Sequence, residues 1–237
     1  MRIGRPLLEA TFLARDNRFR ARVRLAGREV AAHIPNSGRL TELLSPGRPV
    51  LLAEAGSRNR VTDYDLLMVS LPHTLVCIDA RLPNSLFYEA LQAGALPDFG
   101  GYPAVRREVT HGESRLDFLL EADGEKRPCL IEVKSVTLVH DGVGYFPDAV
   151  TKRGARHLGE LRRASLDGKR AALVFVIQRD DAQALAPHDE SDPHFGEVVR
   201  DVVADGVEAY AYTCRVRREE VVLGERVPVW LSRNGGN

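Results

Sequence analysis

The chain is poor in cysteine, has a single tryptophan, and holds no lysine in its first sixty residues. Its three cysteines, Cys77, Cys129 and Cys214, are scattered among apolar neighbours and form no CxxC pair. An odd, dispersed set of thiols excludes a disulfide framework and a zinc ribbon, and it fits a reducing compartment. The longest apolar run, Ala171 to Ile177, is far too short to cross a bilayer. No charged start leads into an apolar h-region, so no signal peptide is expected. A cytoplasmic protein without membrane association is therefore expected. Internal repeats and low-complexity segments are also missing. What remains, 44% hydrophobic and 28% charged over 237 residues, suits one large globular domain or two small ones.

Net charge is missing as well, with 33 basic residues against 33 acidic. The balance hides a division along the chain. Residues 1–60 hold twelve Arg against five Asp or Glu, and the remainder holds 21 basic against 28 acidic residues. Sign asymmetry of this kind points to a polyanion partner for the basic part. Within it, Arg18, Arg20, Arg22 and Arg24 alternate with Phe19, Ala21, Val23 and Leu25. In a strand, four guanidinium groups would leave one face and could track a phosphate backbone. The expected partner is DNA.

Short strands are expected over Leu7 to Ala14, Phe19 to Ala26, Glu29 to Ile34, Pro49 to Ala55, Tyr64 to Leu71 and Leu75 to Asp79, with a turn at Ala26-Gly27-Arg28. A short helix is expected over Leu40 to Leu44. This set fits a small OB-type barrel over residues 1–80, a scaffold often used for nucleic acid. Beyond it, a helix is expected over Asn84 to Gly94, capped by Asn84 or Ser85. A continuous apolar strand over Ala171 to Gln178 suits a parallel crossover. Asp180 to Asp192 reads as an acidic loop, Pro193 to Ala204 as a helix capped by Asp192, and Val207 to Val216 as a late strand. Val221 to Leu231 reads as a closing hairpin, and 232–237 as a polar tail. The loop's His188, Asp189, Glu190 and Asp192, with His194, lack any metal-site spacing and read as solvated loop and cap.

The chemistry is concentrated in Ser114 to Ser135, SRLDFLLEADGEKRPCLIEVKS. Leu116, Phe118 and Leu120 alternate with Arg115 and Asp117, and Ile131 and Val133 alternate with Glu132 and Lys134, as half-buried strands do. An Asp followed by Glu-x-Lys about fifteen residues on is the core of the PD-(D/E)XK nuclease pattern. Two carboxylates can hold a hard divalent cation through oxygen. The lysine leaves by the same strand face as the glutamate and can orient water or steady a charged transition state. Glu89, on the preceding helix, stands where a further carboxylate belongs. Arg153 and His157 are four apart and share a helix face bordering the site.

Four segments carry a wider resemblance: HIPNSGRL (His33 to Leu40), SRLDFLL (Ser114 to Leu120), IEVKSVTL (Ile131 to Leu138) and YFPDAVTKRGARHL (Tyr145 to Leu158). In this order, they resemble the sugar fermentation stimulation protein A family nearly end to end. The resemblance implies an α/β protein with an N-terminal OB-fold β-barrel domain (1–80) and a PD-(D/E)XK nuclease-like α/β domain (84–237), and it implies DNA binding. Glu89, Asp117, Glu132 and Lys134 are the candidate catalytic residues it carries over, with Arg153 and His157 against the phosphate. Asp117, Glu132 and the Val133 carbonyl would hold Mg²⁺ or Mn²⁺. Asn36 and Arg39, in the shared Pro-Asn-Ser-Gly-Arg turn, join the four arginines as candidate DNA contacts. The rival expectation is a DNA-binding regulatory protein that uses the fold without cutting. A sugar-processing enzyme has no motif behind it.

Overall fold

The computed structural model describes residues 1–56 and 61–232. Arg58 and Arg60 of the basic segment, and residues 233–237 of the polar tail, lie outside the described residues.

The N-terminal strands are β1 (Leu7–Asn17), β2 (Arg20–Leu25), β3 (Arg28–His33), β4 (Pro49–Glu54), β5 (Tyr64–Ser70) and β6 (Leu75–Cys77). They lie in the order β3-β2-β1-β4-β5-β6, and β3 closes onto β5 through the parallel pairs Ala32↔Tyr64 and His33↔Asp65. The result is a closed five-stranded barrel of OB type, with β6 added alongside β5. Ala26 and Gly27 link β2 to β3 at φ of 47° and 79°, which gives a tight hairpin the twist of its strands. Phe12, Val23, Ile34, Leu52 and Leu66 fill the interior. Leu40 and Leu43 plug it from one end. The helix expected over Leu40 to Leu44 is only a single turn, closed by the Leu44 N–H on the Leu40 carbonyl at 2.9 Å. Pro46 and Gly47 follow at once, so the turn has no length over which to repay its nucleation.

The second unit opens with α1 (Leu82–Gln92). Then come β7 (Ala104–His111), β8 (Ser114–Glu121), β9 (Cys129–Val136), β10 (Val139–His140), β11 (Val143–Phe146) and α2 (Lys152–Leu166). β12 (Arg170–Ile177), β13 (Ala184–Pro187), α3 (Pro193–Ala204), β14 (Glu208–Val216) and β15 (Val221–Val227) complete it. The sheet order is β15-β14-β12-β9-β8-β7, with β12 parallel to both β9 and β14. α2 and α3 pack on one face, over Leu130, Leu173 and Phe175. α1 packs on the other, over Phe118, Ile131 and Val174. Asp192 caps α3 by accepting the Phe195 N–H at 3.1 Å, with Pro193 at the first helical position.

Three expectations need correction. α1 starts two residues earlier than expected, at Leu82, because Pro83 fits the first turn of a helix. Asn84 is therefore inside α1 and Arg81 stands at its N-cap without a side-chain bond. The acidic loop contains β13, which pairs in parallel with β11. The segment after β15 makes a single bridge, Leu185↔Val229, and no hairpin.

The two units share one core. Leu51, Ala53, Leu67 and Met68, on the outward side of the barrel, bury against Leu86 and Phe87 of α1 and against Val176 and Cys214 of the sheet. β4 and β5 are thus buried on both faces over most of their length. This explains why LLA and LLMV read as unbroken apolar runs where a solvated barrel would alternate. Main chain crosses the same boundary where the Cys77 N–H donates to the Gln178 carbonyl at 3.0 Å. Met68 is fully buried in this seam. Met68→Ala should cost about 2–5 kcal/mol and lower the melting of barrel and sheet together in calorimetry. Two separated transitions would show that the units do not depend on each other.

Candidate metal and nuclease-type site

Strand parity places the central residues. On β8, Leu116, Phe118 and Leu120 are buried and Asp117 lies on the opposite side, half-buried. β8 and β9 pair through Phe118↔Ile131, Leu119↔Leu130 and Leu120↔Cys129. Their regular ladder stops at Phe118. One step further, the Asp117 side chain replaces the missing main-chain partner: its Oδ2 accepts the Val133 N–H at 2.7 Å. Its Oδ1 accepts from Asn84 Nδ2 at 2.6 Å. On β7, Glu108 takes a φ of 54° beside this interruption.

Glu132 is covered by α2 and only 3% exposed. Its Oε1 accepts from Lys134 Nζ at 2.6 Å and also meets His157 Nδ1. Arg153 Nε donates to His157 Nε2 at 3.3 Å, so Nε2 is the ring's acceptor and Nδ1 carries the proton toward Glu132. His157 is thus buried and spent on positioning Glu132, whereas the expectation put it against phosphate. Arg153 stays exposed above it. α2 is set for this contact by Thr151, whose hydroxyl accepts the Gly154 N–H at 3.1 Å as the N-cap.

The electrostatics separate the two acids. Burial, and then the charge of Glu132, push the Asp117 carboxyl up to about 6, against the pull of its hydrogen bonds. Burial also works against the Glu132 carboxylate, but the bonds from His157 and Lys134 and the lysine's charge outweigh it and hold Glu132 below its ordinary value. Glu132 Oε2 is buried with no hydrogen-bond partner. An unpaired carboxylate oxygen beside a second, destabilised acid is a donor set that fits a hard cation. Val133 meets Asp117 through its N–H.

Glu89 is not brought to this pair. It is exposed, and its carboxylate takes the Met1 ammonium at 2.9 Å. Asn84 makes the reach from α1 instead. Residues five apart lie roughly 140° apart around a helix, so Asn84 and Glu89 serve different faces. Among the described residues, no three His, Cys, Asp or Glu side chains converge as metal ligands. Asn84 was missed because an Asn near a helix start reads as a cap. The Pro83 before it was the signal that the helix had already begun.

The basic segment is partly neutralised. Arg20, Arg22 and Arg24 project from β2 over buried Ala21 and Val23 as expected. Asp16 lies 3.5 Å from Arg20 and 2.8 Å from Arg22, and Glu29 lies 3.0 Å from Arg22. Arg24 has no ion-pair partner among the described residues. Arg18 falls in the β1–β2 turn, outside the ladder. Asn36 is buried and its amide is occupied, donating to the Ile78 carbonyl at 2.9 Å and accepting the Gly38 N–H at 2.7 Å. Arg39 keeps an exposed side chain, while its N–H donates to Asp148 Oδ2 at 2.7 Å and ties this turn to the second unit. In the acidic loop, Asp189 pairs with Arg200 at 2.6 Å, and Asp192 also accepts the Thr151 N–H at 2.8 Å.

Two family models match the chain: the SfsA N-terminal OB domain over residues 13–78, and the sugar fermentation stimulation protein RE domain over residues 81–220. The chain belongs to the sugar fermentation stimulation protein (SfsA) family. A homolog from Symbiobacterium thermophilum is 51% identical over 241 residues, covering 95% of this chain and 96% of its own. One from Moorella thermoacetica is 50% identical over 226 residues, covering 95% and 97%. A solved structure of Pyrococcus furiosus SfsA in complex with Ca²⁺ is similar at a TM-score of 0.88 and 32% identity, over 97% of this chain and 98% of that one. The barrel and the α/β unit are thus the two halves of an SfsA protein. No helix among the described residues is long and apolar enough to cross a membrane.

The raised Asp117 pKa has a consequence for stability. An acid whose pKa rises on folding holds more protons folded than unfolded between its two values, so stability falls as pH climbs through that window. For Asp117 the window runs from 3.8 to about 6, a loss of roughly 3 kcal/mol above it. Asp117→Asn removes this cost, since the new amide oxygen can keep the Val133 N–H and Asn84 can rotate its own amide to accept. Without added metal, the variant should melt roughly 5–10 °C above wild type at about pH 8, and the gap should close as pH falls below about 4. A gap that does not change with pH would show that Asp117 is not held at a cost.

Proposed function

We propose that this protein binds nucleic acid and hydrolyses phosphodiester bonds with Mg²⁺ or Mn²⁺. The observation that carries the reading is the buried, unpartnered Oε2 of Glu132 beside the destabilised Asp117, with Lys134 on the same strand face. A pure binder of phosphate gains nothing from two acids in that position. Asp117 and Glu132 would hold the cation, and the Ca²⁺ complex of the Pyrococcus furiosus relative supports a hard, oxygen-seeking ion. A bound ion of this kind lowers the pKa of water and offsets charge on the phosphate. His157 keeps Glu132 oriented. Lys134 can release Glu132 to orient the attacking water, and Arg153 lies exposed for the phosphate.

The OB barrel would carry the strand. Arg18, Arg24 and Arg39, with no ion-pair partner among the described residues, are the unneutralised cations among its candidate contacts, and exposed Lys152 and Arg156 extend the track along α2. A second reading, a DNA-binding regulatory protein that does not cut, is favoured by one observation: among the described residues no three His, Cys, Asp or Glu converge as metal ligands, and His157 is already engaged with Glu132.

Two experiments decide between these readings. Wild type and the Asp117→Ala, Lys134→Ala double variant are incubated with duplex, single-stranded and branched DNA and RNA, in Mg²⁺, Mn²⁺ or EDTA. Metal-dependent cutting by wild type alone is expected. Wild type that binds but stays inert throughout would establish the regulatory reading. In binding titrations, reversing Arg24 and Arg39 to Glu should weaken affinity for all sequences about equally and flatten the dependence of log K on log[salt]. Reversing Arg22, already offset by Asp16 and Glu29, should do less. The opposite ranking would move the strand's path off these residues.

A further inference from the structure

Phe19 breaks the parity of its own segment. It shares phase with the buried Ala21 and Val23, yet it is 48% exposed at the mouth of the barrel. Its ring stacks on His33, with centroids 6.3 Å apart and planes 28° from parallel. The backbone that presents it is fully engaged. The Phe19 N–H donates to Asn17 Oδ1 at 2.9 Å, and the Phe19 carbonyl accepts the Ile34 N–H at 2.9 Å and meets His33 Nδ1 at 3.1 Å. Arg15 clamps the same turn to the neighbouring loop, donating to the Arg18 carbonyl at 2.6 Å and the Gly38 carbonyl at 2.8 Å. An exposed ring on an anchored turn has little freedom left to lose on binding.

The residue beside it, Arg18, lines a cleft of about 280 Å³ between the barrel and the second unit. Ser37 and Gly38 form part of one wall. The other includes Ser135, directly after Lys134 on the strand that carries Glu132, and Thr137 just past that strand's end. An aromatic face and an adjacent cation on the wall of a cleft between the two units are the parts of a site for an unpaired base and its phosphate. A paired base has its faces covered by its neighbours and cannot lie on the ring.

We propose that Phe19, backed by His33, is a stacking platform for an unpaired nucleobase, with Arg18 on the adjoining phosphate. The preferred nucleic acid is then single-stranded. This rests on the nucleic-acid reading above and adds to it the class of strand.

The test is a binding titration of the full chain in EDTA. Labelled oligo(dT), oligo(U) and a duplex of equal length are compared, using wild type, Phe19→Ala and Phe19→Trp. Wild type should bind a single strand more tightly than duplex, and whichever of the two oligomers binds better identifies the sugar preferred. Phe19→Ala should lose roughly tenfold on the single strand, with its salt slope and duplex affinity unchanged. Phe19→Trp should keep the affinity, and its emission should be quenched by the strand. Phe19→Ala that binds single strand like wild type, or that loses equally on duplex, overturns the platform and leaves the nucleic-acid reading standing. Wild type that binds none of the three overturns both.

Discussion

Two carboxylates held where β8 and β9 part are the constraint around which the second unit is arranged. Acids of like charge in a desolvated slot repel each other, and burial disfavours both. The surrounding elements answer this unequally. Glu132 is held ionised by Lys134 from its own strand and His157 from α2, while Asp117 has only neutral donors, the Val133 N–H and Asn84. α1 and α2, on opposite faces of the sheet, therefore each send one polar side chain to the pair. The unpartnered Glu132 Oε2 shows that the protein leaves this arrangement electrostatically incomplete. A divalent cation would complete it.

The barrel is tied to this centre through packing. Its β4 and β5 are buried on both faces because their outer sides enter the core shared with α1 and the sheet. α1 in turn delivers Asn84 to Asp117. A further link runs through the turn of residues 36–39, where Gly38 lies so close to Asp148 that a Cβ there would fall 2.3 Å from its Oδ2. The barrel face proposed for nucleic acid and the paired acids are thus held by common contacts.

Much of this was legible in the sequence, and the limits have physical reasons. Period-two alternation located Asp117, Glu132 and Lys134 on one strand side, since parity is fixed by the pleat. The barrel strands and the Asp192 cap of α3 were legible for equally local reasons. Glu89 was expected at the acids and Asn84 at the cap, but the two lie roughly 140° apart around α1, so only one of them can reach Asp117, and which one depends on how the helix is seated on the sheet. His157 was placed on the correct helix face, but its burial depends on how closely α2 lies on β9, which its sequence does not encode locally. The neutralisation of Arg20 and Arg22 by Asp16 and Glu29 depends on cross-strand register. The exposure of Phe19 depends on where the barrel wall ends, and neither is visible in a single strand's pattern.

The central claim is that Asp117 and Glu132 together form a divalent-cation site. Calorimetric titration of Mn²⁺ into the metal-free protein and its Glu132→Gln variant tests it most directly, because it requires neither substrate nor turnover. The account predicts one site in the wild type and its loss in Glu132→Gln, which keeps the side chain's shape and removes the charge. Equal Mn²⁺ binding by the two proteins would contradict it.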